Sequence, residues 1–138
     1  MFDIWYCEKY PLDEIQVSDR VYHPGSEVWR PALADNIREH GLVNPLIVLN
    51  HRDPTKYKER WLKIGNNRYW ALRELNWEYA PVIITGTCPI EPKQKLTFEE
   101  AKQYFKDGEL WYDTETGYET LRLRKVSDPA KYEYPLNV

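Results

Sequence analysis

The sequence predicts an α/β domain followed by a small C-terminal α+β extension. Three observations carry this. The apolar runs Leu46–Leu49 and Val82–Ile84 have the length and composition of buried strands. Between them a strand-like alternation gives way to a helical period at Gly65-Asn66. Past Cys88 the pattern changes to two prolines, a helix-start signal and two short strand-like segments. The 138 residues fit one domain of about 100–200 residues. A hydrophobic share of 42% excludes wholesale disorder, and an aromatic share of 14%, with six Trp and eleven Tyr, lets a short chain bury a large area.

The elements follow in order. Residues 1 to about 25 read as strand and loop, with a short strand at Ile15-Gln16-Val17 and a turn at His23-Pro24-Gly25-Ser26. A helix follows, with Pro31 suited to its first position, Leu33 and Ile37 on one face, and Gly41 at its C′ position. Pro45 opens the strand Leu46–Leu49, and Asp53-Pro54 marks a turn in a polar loop. The strand at about Lys58–Ile64 alternates Trp61 and Lys63 against Leu62 and Ile64. Asn66 caps a helix running to about Asn76, with Ala71, Leu72 and Leu75 inward. Pro81 opens the strand Val82–Thr85, which ends at Gly86. Cys88–Lys95 reads as a linker. Thr97 and Glu100 form a capping box that starts a helix to about Lys106. Glu109–Asp113 and Tyr118–Lys125 pair as a hairpin around Thr114–Gly117, and Ser127–Val138 is extended or frayed. The expected division is a first domain over residues 1–86 and an extension over 87–138, packed on the first.

Charge and composition set limits on function. Nineteen basic against twenty-two acidic residues give a net charge of −3, which excludes a strongly basic nucleic-acid coat. The apolar runs are too short to span a bilayer, and the first residues lack a signal-peptide pattern, so a cytoplasmic chain without a membrane partner is expected. Cys7 and Cys88 form no metal-ligand spacing and fit two thiols in a reducing compartment. His23, His40 and His51 share no metal spacing either, so no metal site is expected. Lys56–Trp61 mixes basic and aromatic residues, and Arg122, Arg124 and Lys125 form a basic strand segment.

The most informative element is the turn Gly65-Asn66-Asn67-Arg68. Backbone N–H groups at a helix start have no intrahelical partners, and together with the helix dipole they favour an anion. Gly65 admits a phosphate close to the backbone, and Arg68 adds a charge-assisted bond. The wider order strengthens this. Leu33–Val48, a short helix followed by Gly41-Leu42-Val43-Asn44-Pro45 and a strand, resembles the first half of the ParB/sulfiredoxin-like domain. Trp61–Leu75 and Pro81–Ile84 resemble its second half, a strand, a Gly-x-x-Arg turn, a helix and a closing Pro-strand. The resemblance covers about residues 12–86.

The resemblance implies a phosphate or nucleotide site formed by Gly65, Asn66, Asn67 and Arg68. On the same resemblance Asn36 would face that pocket, or else stay solvated on its helix, Arg30 would reach it from the preceding segment, and the loop containing Gly41, Asn44 and Pro45 would border the base. It implies a nucleoside triphosphate with Mg²⁺ as ligand, and a nucleotide-binding module acting near DNA, of the standalone type encoded by bacteriophages or plasmids. The family's turn reads Gly-Glu-Arg-Arg in ParB proteins, where it binds CTP phosphates, and Gly-Cys-His-Arg in sulfiredoxins. Here Asn66 stands at the sulfiredoxin cysteine, and an amide is no nucleophile, so that chemistry is not expected. Serine-phosphorylating relatives carry Asp-Gly-His-His-Arg. Here Ile64 replaces the acid, leaving Glu27 or Asp35 as substitutes. No second recognition helix follows the module, so centromere reading by this chain is not expected. The alternatives are a small NTP hydrolase or phosphotransferase of the same fold, and a protein-interaction module with a degenerate site.

One outcome follows from the net charge of −3, the lack of a recognition-helix pair in the sequence and the scatter of basic residues among acids. Binding to duplex DNA is weak, with dissociation constants on the order of 10⁻⁴–10⁻⁶ M at physiological salt, and it weakens steeply as salt rises. Fluorescence anisotropy across a salt series checks this; a duplex bound a thousandfold more tightly than the others contradicts it.

Overall fold

The computed structural model describes residues 3–17, 26–50, 61–88, 91, 93–106, 108–113 and 120–124, with the side chains at 26–32, 63, 66, 113, 120 and 124 excepted. The turn at His23-Pro24-Gly25, the Asp53-Pro54 loop, the stretch Lys56–Arg60, the turn Thr114–Gly117 and the end Ser127–Val138 lie outside the described residues.

The elements are β1 (Ile4–Pro11), a 3₁₀ turn (Leu12–Glu14), α1 (Ser26–His40), β2 (Leu46–Asn50), β3 (Trp61–Ile64), α2 (Asn66–Glu74), β4 (Tyr79–Gly86), β5 (Gln94–Leu96), α3 (Phe98–Lys102), β6 (Glu109–Asp113) and β7 (Thr120–Arg124). Five strands form one sheet in the order β3-β2-β4-β1-β5, and β6 and β7 form a separate pair. β2 and β4 run parallel, and the other pairings are antiparallel.

The central strands are buried on both faces, which is why they read as unbroken apolar runs. Leu46 and Val48 of β2, with Val82 and Ile84 of β4, pack with Leu33, Ile37, Ala71 and Leu72 of the two long helices. Ile47 and Ile83 point the other way, into a cluster with Ile4, Leu96, Ala101, Phe105, Leu110 and Leu121. The second face of the sheet is therefore covered by residues beyond position 86. Cys7 and Cys88 both lie in the first cluster and are not joined in a disulfide; burial pushes the Cys7 thiol up.

Several expectations need correction. Residues 94–95 are not linker: Gln94–Leu96 pairs with Ile4–Tyr6 as an edge strand. Their alternation is too short for a sequence period to register. The helix expected to open at Pro31 starts at Ser26 and runs through that proline, which removes one intrahelical donor without ending the helix. Ile15–Val17 is reduced to one parallel bridge between Gln16 and Trp61. β4 begins three residues before Val82. There Pro81 donates no hydrogen bond, and the β1 register skips from Cys7↔Val82 to Tyr10↔Ala80, a bulge opposite the missing N–H.

Simple alternation in β3 also fails. Ile47 pairs with Ile64 but Val48 pairs with Leu62, so Lys63 is an extra residue in the ladder. Leu62 consequently joins the helix-side cluster and Ile64 the opposite one. The Thr97 capping box forms as expected, with the Glu100 N–H donating to Thr97 Oγ1 at 3.1 Å and the Thr97 N–H donating to Glu100 Oε1 at 2.9 Å. The helix it starts ends at Lys102, four residues short of expectation.

Leu121 on β7 has no exposed surface. Leu121→Ala lowers the unfolding free energy by about 2–4 kcal/mol, the range for a buried leucine deletion. Urea denaturation is the measurement, and a loss below about 0.5 kcal/mol rules out its place in the sheet's core.

Candidate functional site

The β3-to-α2 connection is a single residue. Gly65 has φ +108° and caps α2 in place of the expected Asn66, which is the first helical residue. The reason is steric: a strand can turn directly into a helix here only through a positive φ, which an L side chain resists. The first intrahelical bond runs from the Tyr69 N–H to the Gly65 carbonyl at 2.7 Å. The N–H groups of Asn66, Asn67 and Arg68 therefore precede the helical ladder.

The space a side chain at Gly65 would take is filled from below. An added Cβ would stand 2.6 Å from Leu46 Cδ2 and 3.0 Å from Arg68 Nη2. The Arg68 guanidinium thus lies directly under the glycine, and the residue is 1% exposed. Its Nη1 donates to the Asn44 carbonyl at 2.5 Å and to the Pro45 carbonyl at 3.3 Å. Nε and Nη2 are buried and have no hydrogen-bond partner among the described residues. A buried cation with two unspent donors is electrostatically incomplete.

Burial pulls the Arg68 pKa down to about 10. At neutral pH the group is still charged. Its folded pKa lies below the unfolded one, so the unfolded state holds the proton more tightly. Burial therefore opposes folding at neutral pH, and that penalty fades as pH rises through about 10. An anion against the guanidinium reverses the sign by favouring the charged form.

The structure gathers some of the other expected site residues around this turn. Asn44, expected beside a base, is fully buried and links the Arg68 turn to the extension: its carbonyl accepts from Arg68, and its Oδ1 accepts from the Lys106 backbone N–H at 2.9 Å. Sequence spacing carries no signal for a bond across 62 positions. Gly41 ends α1 at φ +78°, with its N–H donating to Ile37 at 2.8 Å. Asn36 is buried on α1, the helix packed against α2. Asn67 is half-buried at the head of α2. The side chains of Asn66, Arg30 and Glu27 lie outside the described residues. Asp35, an expected substitute acid, is exposed and paired with Arg38 at 2.7 Å.

Arg73, one turn and a half beyond Arg68, has a different duty. It pairs with Asp13 and donates to the Tyr69 hydroxyl at 3.2 Å, fastening α2 to the 3₁₀ turn. Among the described residues no group of three His, Cys, Asp or Glu is placed to hold a metal. No described helix is long and apolar enough to cross a membrane.

A family model described as the ParB N-terminal domain matches residues 11–96. No curated protein matches the chain in sequence. Among solved structures, the C-terminally truncated chromosome-partitioning protein ParB from Caulobacter crescentus complexed with CTP-gamma-S is similar at a TM-score of 0.47 and 20% identity, over 59% of this chain and 45% of that one. The same truncated protein complexed to the centromeric parS site is similar at 0.43 and 18%, over 60% and 41%. This chain spans under half the length of either.

Gly65→Ala tests the close packing over Arg68. Positive-φ strain and the contacts with Leu46 and Arg68 together cost about 2–4 kcal/mol. Urea denaturation checks it; a loss within about 0.5 kcal/mol shows that the turn tolerates a side chain and the guanidinium is not held there.

Proposed function

The chain belongs to the ParB N-terminal domain family, and from that premise we propose that the Gly65–Arg68 turn binds the phosphates of a nucleotide, in a protein that works near DNA. The observation that carries this is Arg68, a buried cation with two donors unpartnered among the described residues, beneath a glycine at a helix start. A phosphate supplies the missing acceptors and the missing negative charge. The N–H groups at the head of α2 face the same need. Because Nε and Nη2 are enclosed, contact with a ligand requires the guanidinium or the turn to shift outward. A nucleoside triphosphate brings Mg²⁺ on its own phosphates, which neutralises part of their charge. Asn44 and Pro45, already tied to Arg68, then border the ligand from the β2 side.

A second reading has its own support. The complete burial of Arg68 and its bonds to two loop carbonyls are also what a purely structural clamp looks like. In that case the fold is kept for protein contacts and the turn binds nothing.

Calorimetry with CTP, ATP, GTP and pyrophosphate, each with and without Mg²⁺, separates the two. Binding by the turn predicts that Arg68→Ala removes a charge-assisted bond of about 1.5–3 kcal/mol, a loss of roughly ten- to a hundredfold in affinity. Arg73→Ala, whose partners are Asp13 and Tyr69, leaves affinity close to wild type. Circular dichroism reports whether each variant folds. If Arg68→Ala does not, Arg68→Lys keeps the charge but not the planar fork, and loses affinity as well. A wild-type chain that binds none of the four, with strong destabilisation by Arg68→Ala, establishes the clamp instead.

A further inference from the structure

The β6–β7 hairpin carries a surface that the phosphate turn does not use. Leu110 and Leu121 are buried against the sheet, with Tyr112 and Leu123 packed beside them. Trp111, between two of these inward positions, falls on the other side and keeps 38% of its surface exposed. Tyr79 is the other large hydrophobic exposed among the described residues. Arg122 is the register partner of Trp111, and its guanidinium carbon stands 5.8 Å from the indole centroid. Glu109 lies two residues before Trp111, on the same side of β6. An open cleft of about 450 Å³ is lined by Glu109, Trp111, Arg122 and Leu123.

Three chemistries meet in that cleft: an aromatic face, a cation and a carboxylate. A nucleotide offers the complement of each. Its base is a flat π surface, its phosphate is an anion, and cytosine, adenine and guanine carry amino donors. We propose that this cleft binds an unpaired nucleobase of a single-stranded nucleic acid. Trp111 stacks on the base, Arg122 meets the adjoining phosphate, and Glu109 accepts from an amino group, which favours cytosine over thymine. The strand must be single, because in a duplex the base faces are covered by their neighbours. Arg122 is drawn into this role from a segment whose basic residues are otherwise explained as edge charges.

The test uses the full chain and labelled strands of about twelve nucleotides: oligo-dC, oligo-dT, oligo-rC and a duplex. Fluorescence anisotropy is expected to show oligo-dC or oligo-rC bound more tightly than the duplex, and the tighter of the two identifies the sugar. Trp111→Ala weakens that binding about ten- to a hundredfold, the range for losing one base stack. Trp111→Phe, which keeps a ring, retains most of it. Glu109→Gln removes the preference for cytosine over thymine. Trp111 packs outside the core, so circular dichroism should show both Trp111 variants folded, and their affinity for nucleotide at the turn should be unchanged. Equal binding of duplex and single strands, an unaltered affinity in Trp111→Ala, or no binding of any strand overturns the proposal.

Discussion

The guanidinium of Arg68 bonds two carbonyls of the loop that leads into β2, and much of the fold is arranged around that contact. It joins the two halves of the family motif: the Gly41–Pro45 loop from one side and the Gly65–Arg68 turn from the other. An arginine can do this where a lysine cannot, because its planar fork spends one nitrogen on the loop and keeps the others in reserve. Gly65 is the matching concession, since any side chain there would take the volume the guanidinium occupies. Desolvating the charge is unfavourable, and an anion set against the guanidinium would offset that cost.

Around this point the sheet settles its geometry with two irregularities. The extra residue at Lys63 sends Leu62 and Ile64 to opposite faces just before the turn. The bulge opposite Pro81 lets β4 remain central despite a residue with no donor. Both faces of β2 and β4 are thereby filled, one by the long helices and the other by α3 and the hairpin.

What could be read in the sequence was local. The runs Leu46–Leu49 and Val82–Ile84, the capping box at Thr97 and the terminal glycine at position 41 each carry their structural cause within a few residues, and each has its counterpart in the fold. The turn at Gly65 was visible for the same reason: two periods collide there. The depth of Arg68 was not visible, because an arginine one turn into a helix looks the same whether it faces solvent or lies beneath a glycine. β5 was hidden by its length, and the partnership of Asn44 with Lys106 by its separation. Trp111 carried no sequence signal of its own: that it faces away from the core follows only from the register that turns Leu110 and Tyr112 inward.

The bond from Lys106 to Asn44 is made by a peptide N–H, not by the lysine side chain. Selection acting on that contact has no side chain to preserve. Nineteen residue types supply the same donor, and only proline does not. Position 106 is therefore free to drift in chemistry while the backbone beneath it stays fixed to the motif's loop. Among relatives such a tie would leave almost no trace in residue identity, and its record would be the avoidance of a single amino acid.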